Sequence, residues 1–105
     1  MSAMTWSETR RRQDVLREVR AVAAVRKDGV LPWSDDYIDA YATPDELLRD
    51  LAYSWRIHVE AQVDTNFTEG EMEERWDALY RAFPGVPEII DAHRAAARRE
   101  HELAA

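Results

Sequence analysis

Three short sequences of the form Thr-x-x-Glu divide this chain into helical units. They are Thr5-Trp-Ser-Glu8, Thr43-Pro-Asp-Glu46 and Thr68-Glu-Gly-Glu71. In such a capping box the threonine hydroxyl accepts a hydrogen bond from a free N–H of the first turn, and the glutamate accepts one from the N–H of the cap residue. Each box stands ahead of an amphipathic run, so the sequence predicts three helix starts.

Apolar residues spaced three and four apart then indicate how far each helix runs. The predicted helices are Trp6 to Asp28, Asp35 to Ala42, Pro44 to about Thr65, Glu69 to Phe83 and Pro87 to about Glu102. Gly29 is placed to end the first helix in the left-handed conformation, and Ser34 is placed to cap the short second one.

The apolar side of each predicted helix indicates the core. The residues expected inside are Val15, Leu16, Val19, Val22 and Ala23; Tyr37, Ile38 and Tyr41; Leu48, Leu51, Ala52, Trp55, Val59 and Val63; Met72, Trp76, Leu79, Tyr80 and Phe83; and Ile89, Ile90, His93 and Ala97. No segment alternates between apolar and polar residues with period two, so we expect no sheet.

The length of 105 residues allows one domain. Only three glycines and four prolines interrupt a composition rich in helix-forming residues, and short connections favour antiparallel neighbours. We therefore predict an all-α fold, a small antiparallel bundle of four main helices plus one short helix, with residues 1–105 as a single helical domain. Residues 1–4 and about 103–105 are expected to be disordered ends.

Several functional classes are disfavoured by what the sequence lacks. Without cysteine there is no disulfide framework, cysteine zinc site or thiol nucleophile. No apolar run approaches the roughly 20 residues that cross a bilayer, and no secretory signal is visible, so we expect a cytoplasmic protein without a membrane partner. Since no phosphate loop, nucleophile elbow or metal signature occurs, we predict no catalytic residue, no cofactor and no metal site.

A polar seam interrupts the apolar side of the 44–65 helix. His58, Gln62 and Asn66 follow at intervals of four residues within the stripe that should face the core, and His93 lies on the inner side of the last helix. The default interpretation is a solvent-lapped border with satisfied hydrogen bonds. The alternatives are a polar contact that sets the register with another subunit, or a pocket for a small molecule or metal.

The same helix carries apolar residues on its other side, namely Tyr53 and Ile57. A helix that is apolar on two sides has either two neighbours or a partner, and we expect this one to be enclosed from both directions. Of the four tryptophans, Trp6 precedes the apolar stripe of the first helix, and Trp33 lies in the loop after that helix. Core packing is the default for both, but tryptophan is also enriched at interface hot spots, which makes them candidate interface residues.

The charge is divided unevenly along the chain. The net charge is −7, yet residues 1–28 hold seven basic and four acidic side chains. The candidate anion contacts on this basic first helix are Arg10, Arg11, Arg12, Arg17 and Arg20. Such a fan of arginines suits phosphates, but nearby acidic side chains compete for it and the acidic body would repel a polyanion.

These observations favour a protein that works by association and has no catalytic chemistry. We predict a helical interaction module or adaptor that binds copies of itself or another protein. The first alternative is a nucleic-acid-associated regulator that contacts phosphates through the basic first helix. The second is a small-molecule or metal binder at the polar seam.

Overall fold

Four long helices make up most of the chain. The computed structural model describes residues 4–63 and 66–104. Its helices are α1 (Trp6–Arg26), α2 (Pro44–Gln62), α3 (Glu69–Ala82) and α4 (Val86–Ala104), and a short 3₁₀ helix (Asp35–Tyr37) lies between α1 and α2. No strand occurs within the described ranges. The predicted all-α bundle of four main helices plus one short helix is confirmed.

Threonine caps begin three of the four long helices at the predicted positions. The hydroxyl of Thr5 accepts a hydrogen bond from the Glu8 N–H at 3.1 Å, and the Glu8 carboxylate accepts one from the Thr5 N–H at 3.4 Å. The hydroxyls of Thr43 and Thr68 accept the corresponding bond from the N–H three residues on. The predicted reciprocal bond differs at Thr43, because the Glu46 carboxylate accepts from the Ala42 N–H at 3.0 Å rather than from the cap residue. Each cap satisfies a donor that the helix itself leaves free, which explains why these helices start where they do.

The end of α1 differs from its prediction. The helix stops at Arg26, and Lys27 rather than Gly29 takes the left-handed cap position, with φ at 48°. The N–H of Lys27 donates to the Ala23 carbonyl at 3.0 Å and closes the last turn. Asp28 then accepts a hydrogen bond from the Val30 N–H at 3.0 Å. This side-chain bond stabilises a tight turn just beyond the helix, which ends two residues earlier than apolar spacing indicated.

The short helix is a single 3₁₀ turn that ends at Tyr37, five residues before the predicted end. Ser34 caps it as predicted, because its hydroxyl accepts from the Asp36 N–H at 3.2 Å. Tyr37 and Tyr41 are buried, but Ile38 is 53% exposed, so its inward prediction was wrong. The prediction used the α-helical repeat of about 3.6 residues per turn, but the backbone here forms a 3₁₀ turn with about three residues per turn. The side chain of Ile38 therefore points in a different direction from the predicted one.

The predicted ends of the other helices are close to the observed ones. α3 ends at Ala82 with Phe83 as its cap, and α4 starts at Val86 and continues to Ala104. α2 ends at Gln62, whereas its predicted end near residue 65 lies outside the described residues. Residues 1–3 and 105 of the predicted disordered ends also lie outside them.

One core holds the helices together. Its fully or nearly fully buried side chains are Val15, Leu16, Val19 and Ala23 of α1; Tyr37, Ala40 and Tyr41 of the connection; Leu47, Leu51 and Trp55 of α2; Leu79 of α3; and Val86, Ile89 and Ile90 of α4. Burying such side chains contributes roughly 1.5–3 kcal/mol each. Because α3 supplies only one of them, it is the least embedded helix of the bundle.

Three core assignments changed in the structure. Leu47 is fully buried although it was left out of the predicted stripe. Tyr80 is 46% exposed, and Ala97 is exposed as well. Tyr80 is exposed because α3 has a neighbour along only part of its apolar side, and Ala97 is exposed because α4 extends past the core. Helical spacing alone therefore predicted more buried residues on these two helices than the structure has.

Candidate functional site

Tyr53 and Ile57 form an exposed apolar pair, the α2 patch, on the side of α2 that points away from the core. They lie one helical turn apart, and 54% and 45% of their respective surfaces are open. Leu51 and Trp55, on the other side of the helix, are buried. The hydrophobic enclosure of α2 from two directions, on which the predicted association rested, is therefore not provided by the described residues of the single chain, and His58 is exposed as well. The second apolar side exists, but it is a surface.

An open groove runs beside the α2 patch between α1 and α2. Its two parts have volumes of about 420 and 210 Å³ and share Asp50 and Tyr53. On the α1 side the walls are Arg12, Gln13 and Leu16. The apolar pair thus adjoins a concave surface with both charged and apolar walls, which is a shape that a protruding side chain of another molecule fits.

Asp50 connects this groove to the core. The Tyr41 hydroxyl donates to Asp50 Oδ2 at 2.5 Å, and Tyr41 is fully buried. The Arg12 guanidinium lies over the Tyr41 ring, 4.8 Å from its centroid. Burial, and then the bond to Asp50, raises the pKa of Tyr41 above its ordinary value. These contacts tie α1, the connection and α2 together and hold the groove walls in place.

His58 lies where this groove meets a second one. Its ring packs edge-on against Phe83 with the centroids 4.5 Å apart, and its Nδ1 donates to the Ser54 carbonyl at 2.8 Å. The second groove lies between α2 and α3 and has a volume of about 330 Å³, with His58, Gln62 and Phe83 among its walls. His58 is exposed, but its orientation is set by these two contacts.

The structure brings only part of the polar seam together. His58 and Gln62 share the α2–α3 groove, where Gln62 accepts a hydrogen bond from Arg75 at 3.4 Å. Asn66 is exposed in the turn before α3. His93 is half-buried on α4 and lines neither groove. Two of the four seam residues thus share one groove, and the other two lie apart from it.

The rotation of the α2 stripe explains why the seam is not internal. The deepest residues of α2 are Leu47, Leu51 and Trp55, at intervals of four. This row places His58 and Gln62 at the edge of the buried side rather than at its centre. The default interpretation of a solvent-lapped border with satisfied hydrogen bonds agrees with this geometry.

The arginines of α1 are largely engaged by their own chain. Arg11 donates to Asp39 Oδ2 at 2.8 Å and to the Asp36 carbonyl at 2.7 Å. The Asp39 bond raises the pKa of Arg11 and lowers that of Asp39. Arg17 pairs with Asp14 at 3.3 Å. These side chains already have anionic partners, which weakens the case for a phosphate-binding strip.

The remaining arginines of the fan behave differently from one another. Arg10 lies over the Trp6 ring, 5.5 Å from its centroid, and Arg12 covers Tyr41. Arg20 is half-buried. The fan therefore spreads over separate neighbours and does not converge on one anion site.

The two candidate interface tryptophans occupy different environments. Trp6 is 74% exposed, so its default placement in the core was wrong. Trp33 packs against the core and meets Tyr37 edge-on, with the ring centroids 6.0 Å apart. Trp33 therefore covers the edge of the core beside the 3₁₀ turn. Trp6 is a solvent-exposed aromatic side chain at the start of α1.

Within residues 4–63 and 66–104, no three His, Cys, Asp or Glu side chains are arranged to hold a metal ion. None of the helices described there is both long and apolar enough to span a bilayer. Comparison with protein families, with curated proteins and with solved structures finds no match to this chain. The surface chemistry is therefore what suggests a function.

Sequence reasoning missed the group that shapes the groove. Arg12, Tyr41 and Asp50 meet because the chain turns back at Thr43 and Pro44, and no spacing within one helix reveals such a contact. The only available signal was that Tyr41 and Asp50 flank a predicted helix start, which limits how far apart they lie.

Proposed function

We propose that this protein is a small association module that forms a homo-oligomer through the α2 patch, without catalytic chemistry or a cofactor. The observation that carries the proposal is the exposed pair Tyr53 and Ile57 beside a preformed groove. Aromatic residues are enriched in the buried centres of protein interfaces. Covering both side chains would remove apolar surface from water at a point that the chain itself leaves open.

The total exposed surface supports an association role. The chain exposes 7648 Å², whereas a compact monomer of 12.2 kDa exposes about 6,100 Å². The open last turns of α4 account for part of the excess. An interface of ordinary size covers about 800 Å² on each partner. One such contact would therefore bring the chain much closer to the surface of a compact protein.

The charges around the α2 patch favour a second copy of this chain. Three cationic and three anionic side chains lie near the patch: Arg12, Arg49, Glu46 and Asp50 line the groove with Tyr53, Arg56 lies over the Tyr53 ring, and Glu60 pairs with Arg56. A patch that is balanced in this way adds no local charge repulsion when it meets its own copy, so only the net charge of −7 on each chain opposes the contact. In a two-fold contact the same surface occurs on both sides, so it must be compatible with itself.

The spacing of the pair suggests an arrangement of two antiparallel α2 helices. In that arrangement Tyr53 of one copy lies against Ile57 of the other, and the reciprocal contact follows from the symmetry. The same register brings Arg49 near Glu60 of the other copy. We infer a dimer as the smallest assembly of this kind.

Sedimentation equilibrium over a range of concentrations tests the proposal with Ile57→Glu. Placing a carboxylate at the centre of an apolar contact costs at least about 2 kcal/mol unless it is paired, so the dimer dissociation constant should rise at least about thirtyfold. Ile38→Glu is the matched control, since Ile38 is 53% exposed and does not belong to the α2 patch. It should leave the dissociation constant within about twofold.

Two results would overturn the proposal. One is a wild-type chain that stays monomeric at the highest concentration reached. The other is an equal loss of association in Ile57→Glu and Ile38→Glu, which would place the contact elsewhere. Circular dichroism of both variants verifies that each remains folded.

A further inference from the structure

α3 carries a groove that is used neither by the core nor by the α2 patch. Its volume is about 470 Å³. The residues that line it are apolar or aromatic side chains and carboxylates, namely Phe67, Met72 and Trp76, and Glu69, Glu73 and Asp77, together with Thr68. The apolar three are half-buried and the carboxylates are exposed. The groove thus combines an apolar floor with an acidic rim.

Cations of the same chain lie near the acidic rim without forming salt bridges with it in the described residues: Asp77 also lines a neighbouring groove with Lys27 and Arg81. α3 holds five acidic residues and two arginines, and no salt bridge in the described part of the chain involves a carboxylate of α3. Arg75 donates to Gln62 and lies over the Phe67 ring, 5.3 Å from its centroid. The three rim carboxylates therefore project negative charge over an aromatic floor.

We propose that this α3 groove binds a basic, amphipathic peptide segment of a partner protein. An arginine or lysine side chain would lie against the face of Trp76 and pair with Glu73 and Asp77. Cations bind the faces of tryptophan rings, and desolvation strengthens the attraction. Apolar side chains of the same segment would cover Met72 and Phe67. The acidic rim and the apolar floor of the groove thus favour a ligand that carries a cationic group next to an apolar one.

The basic first helix of a second copy is a poorer occupant. Arg11 and Arg17 are paired with Asp39 and Asp14 of their own chain, and Arg12 is held over Tyr41. Releasing them would break contacts before any were gained. A polyanion such as nucleic acid has the wrong sign for the acidic rim. Binding a basic segment of a different protein would leave the ion pairs and ring contacts of the α1 arginines intact.

Fluorescence anisotropy with labelled peptides tests the proposal. The probe is a peptide of alternating arginine and leucine, and its comparison peptides replace arginine by glutamate or leucine by serine. The first should bind, the glutamate peptide should not, and the serine peptide should bind at least about tenfold more weakly. Raising the salt concentration should weaken binding of the first peptide, because ion pairing with exposed carboxylates is screened.

Paired variants then locate the binding site. Glu73→Gln with Asp77→Asn removes two rim charges, whereas Glu71→Gln with Glu74→Gln removes two charges of the same helix outside the groove. The first pair should weaken binding at least about tenfold and the second less than about twofold. Trp76→Leu should also weaken binding, while Trp76→Phe keeps an aromatic face and should retain most of it. Thermal unfolding of each variant shows that the loss does not come from misfolding.

Equal weakening by both charge pairs would overturn the proposal, since it would mean that only the overall field attracts the peptide. Unchanged binding in Trp76→Leu, or no binding of the arginine–leucine peptide to wild type, would do the same. These outcomes are independent of the α2 patch, because Ile57→Glu should bind the peptide as wild type does.

Discussion

Gly85 lies directly before α4 and against the Ala23 backbone of α1. Its φ is 82°, a value that favours glycine. A Cβ at this position would lie 2.1 Å from the Ala23 carbonyl oxygen, which is backbone and therefore has little freedom to move. The helix pair can approach this closely only because residue 85 has no side chain.

We expect Gly85→Ala to lower the free energy of unfolding by about 3 kcal/mol or more, because strain at a positive φ adds to a steric clash. Gly29→Ala is the matched comparison: its φ is 73° but the nearest atom to an added Cβ is 3.6 Å away. It should cost only about 1–2 kcal/mol. Urea unfolding measures both. Similar losses in the two variants would show that the close approach at Gly85 is unimportant.

Tyr41 makes the stability sensitive to alkaline pH. Its ordinary pKa is 10.0, and burial and the bond to Asp50 raise the pKa in the folded state. The unfolded chain therefore releases the phenolic proton at lower pH than the folded chain does. The stabilising contribution is complete below about pH 10 and is lost as the pH rises from there towards the folded pKa.

Tyr41→Phe removes both the hydrogen bond and the ionisation. It should lower the free energy of unfolding by about 1–2 kcal/mol at pH 7. The difference in free energy of unfolding between wild type and variant should become smaller above pH 10. Some alkaline sensitivity should remain, because burial also raises the pKa of Tyr37. Urea unfolding at a series of pH values gives the result. A stability difference between wild type and variant that stays constant or grows above pH 10 would contradict this explanation.

At the scale of the elements, α4 consists of an embedded half and an open half. Val86, Ile89 and Ile90 are buried at its start, while every described residue from 97 onward is exposed. The helix continues there without packing, supported by its composition of alanine, arginine and glutamate. The last turns of α4 therefore contribute little to the stability of the core.

We expect a chain that ends at Ala97 to keep the free energy of unfolding within about 0.5 kcal/mol of the full chain. Its far-ultraviolet circular dichroism should lose only the helical signal of the removed turns. Ile90→Ala, in the embedded half, should cost about 2–5 kcal/mol. If truncation costs as much as Ile90→Ala, the open half packs against something in solution, and its assignment as an unpacked extension is wrong.

At the scale of the whole molecule, the chain is less compact than its length would allow. Its radius of gyration is 15.7 Å, whereas a compact domain of 105 residues has about 13 Å. The open half of α4 and the peripheral position of α3 both contribute to this. Two surfaces, the α2 patch and the α3 groove, remain available on the outside of one small core.

Salt should affect these two surfaces in opposite directions. Two chains of net charge −7 repel each other, so screening should tighten self-association as salt rises. Binding of a basic peptide should weaken over the same range. Sedimentation equilibrium and anisotropy at low and high salt measure the two effects. Self-association that weakens with salt would indicate an ionic contact rather than the apolar α2 patch.

Residues close in sequence determined the helices of this protein. Capping boxes, prolines and apolar spacing act within one or two turns, so the starts at Trp6, Pro44 and Glu69 and the absence of strands could be predicted from sequence. The predicted helix ends at Asp28 and Ala42 were wrong, because turns at these positions form hydrogen bonds that compete with the hydrogen bonds of a continuing helix.

Only the tertiary structure decided which surfaces are covered. Helical spacing shows that Tyr53 and Ile57 lie opposite the core, but not that both stay exposed among the helices of residues 4–63 and 66–104. It likewise does not reveal that Tyr41 meets Asp50, or that Phe67 joins Trp76 in one groove. Coverage depends on the distances between helices, which are set by close approaches such as Gly85 on Ala23 between residues far apart in sequence.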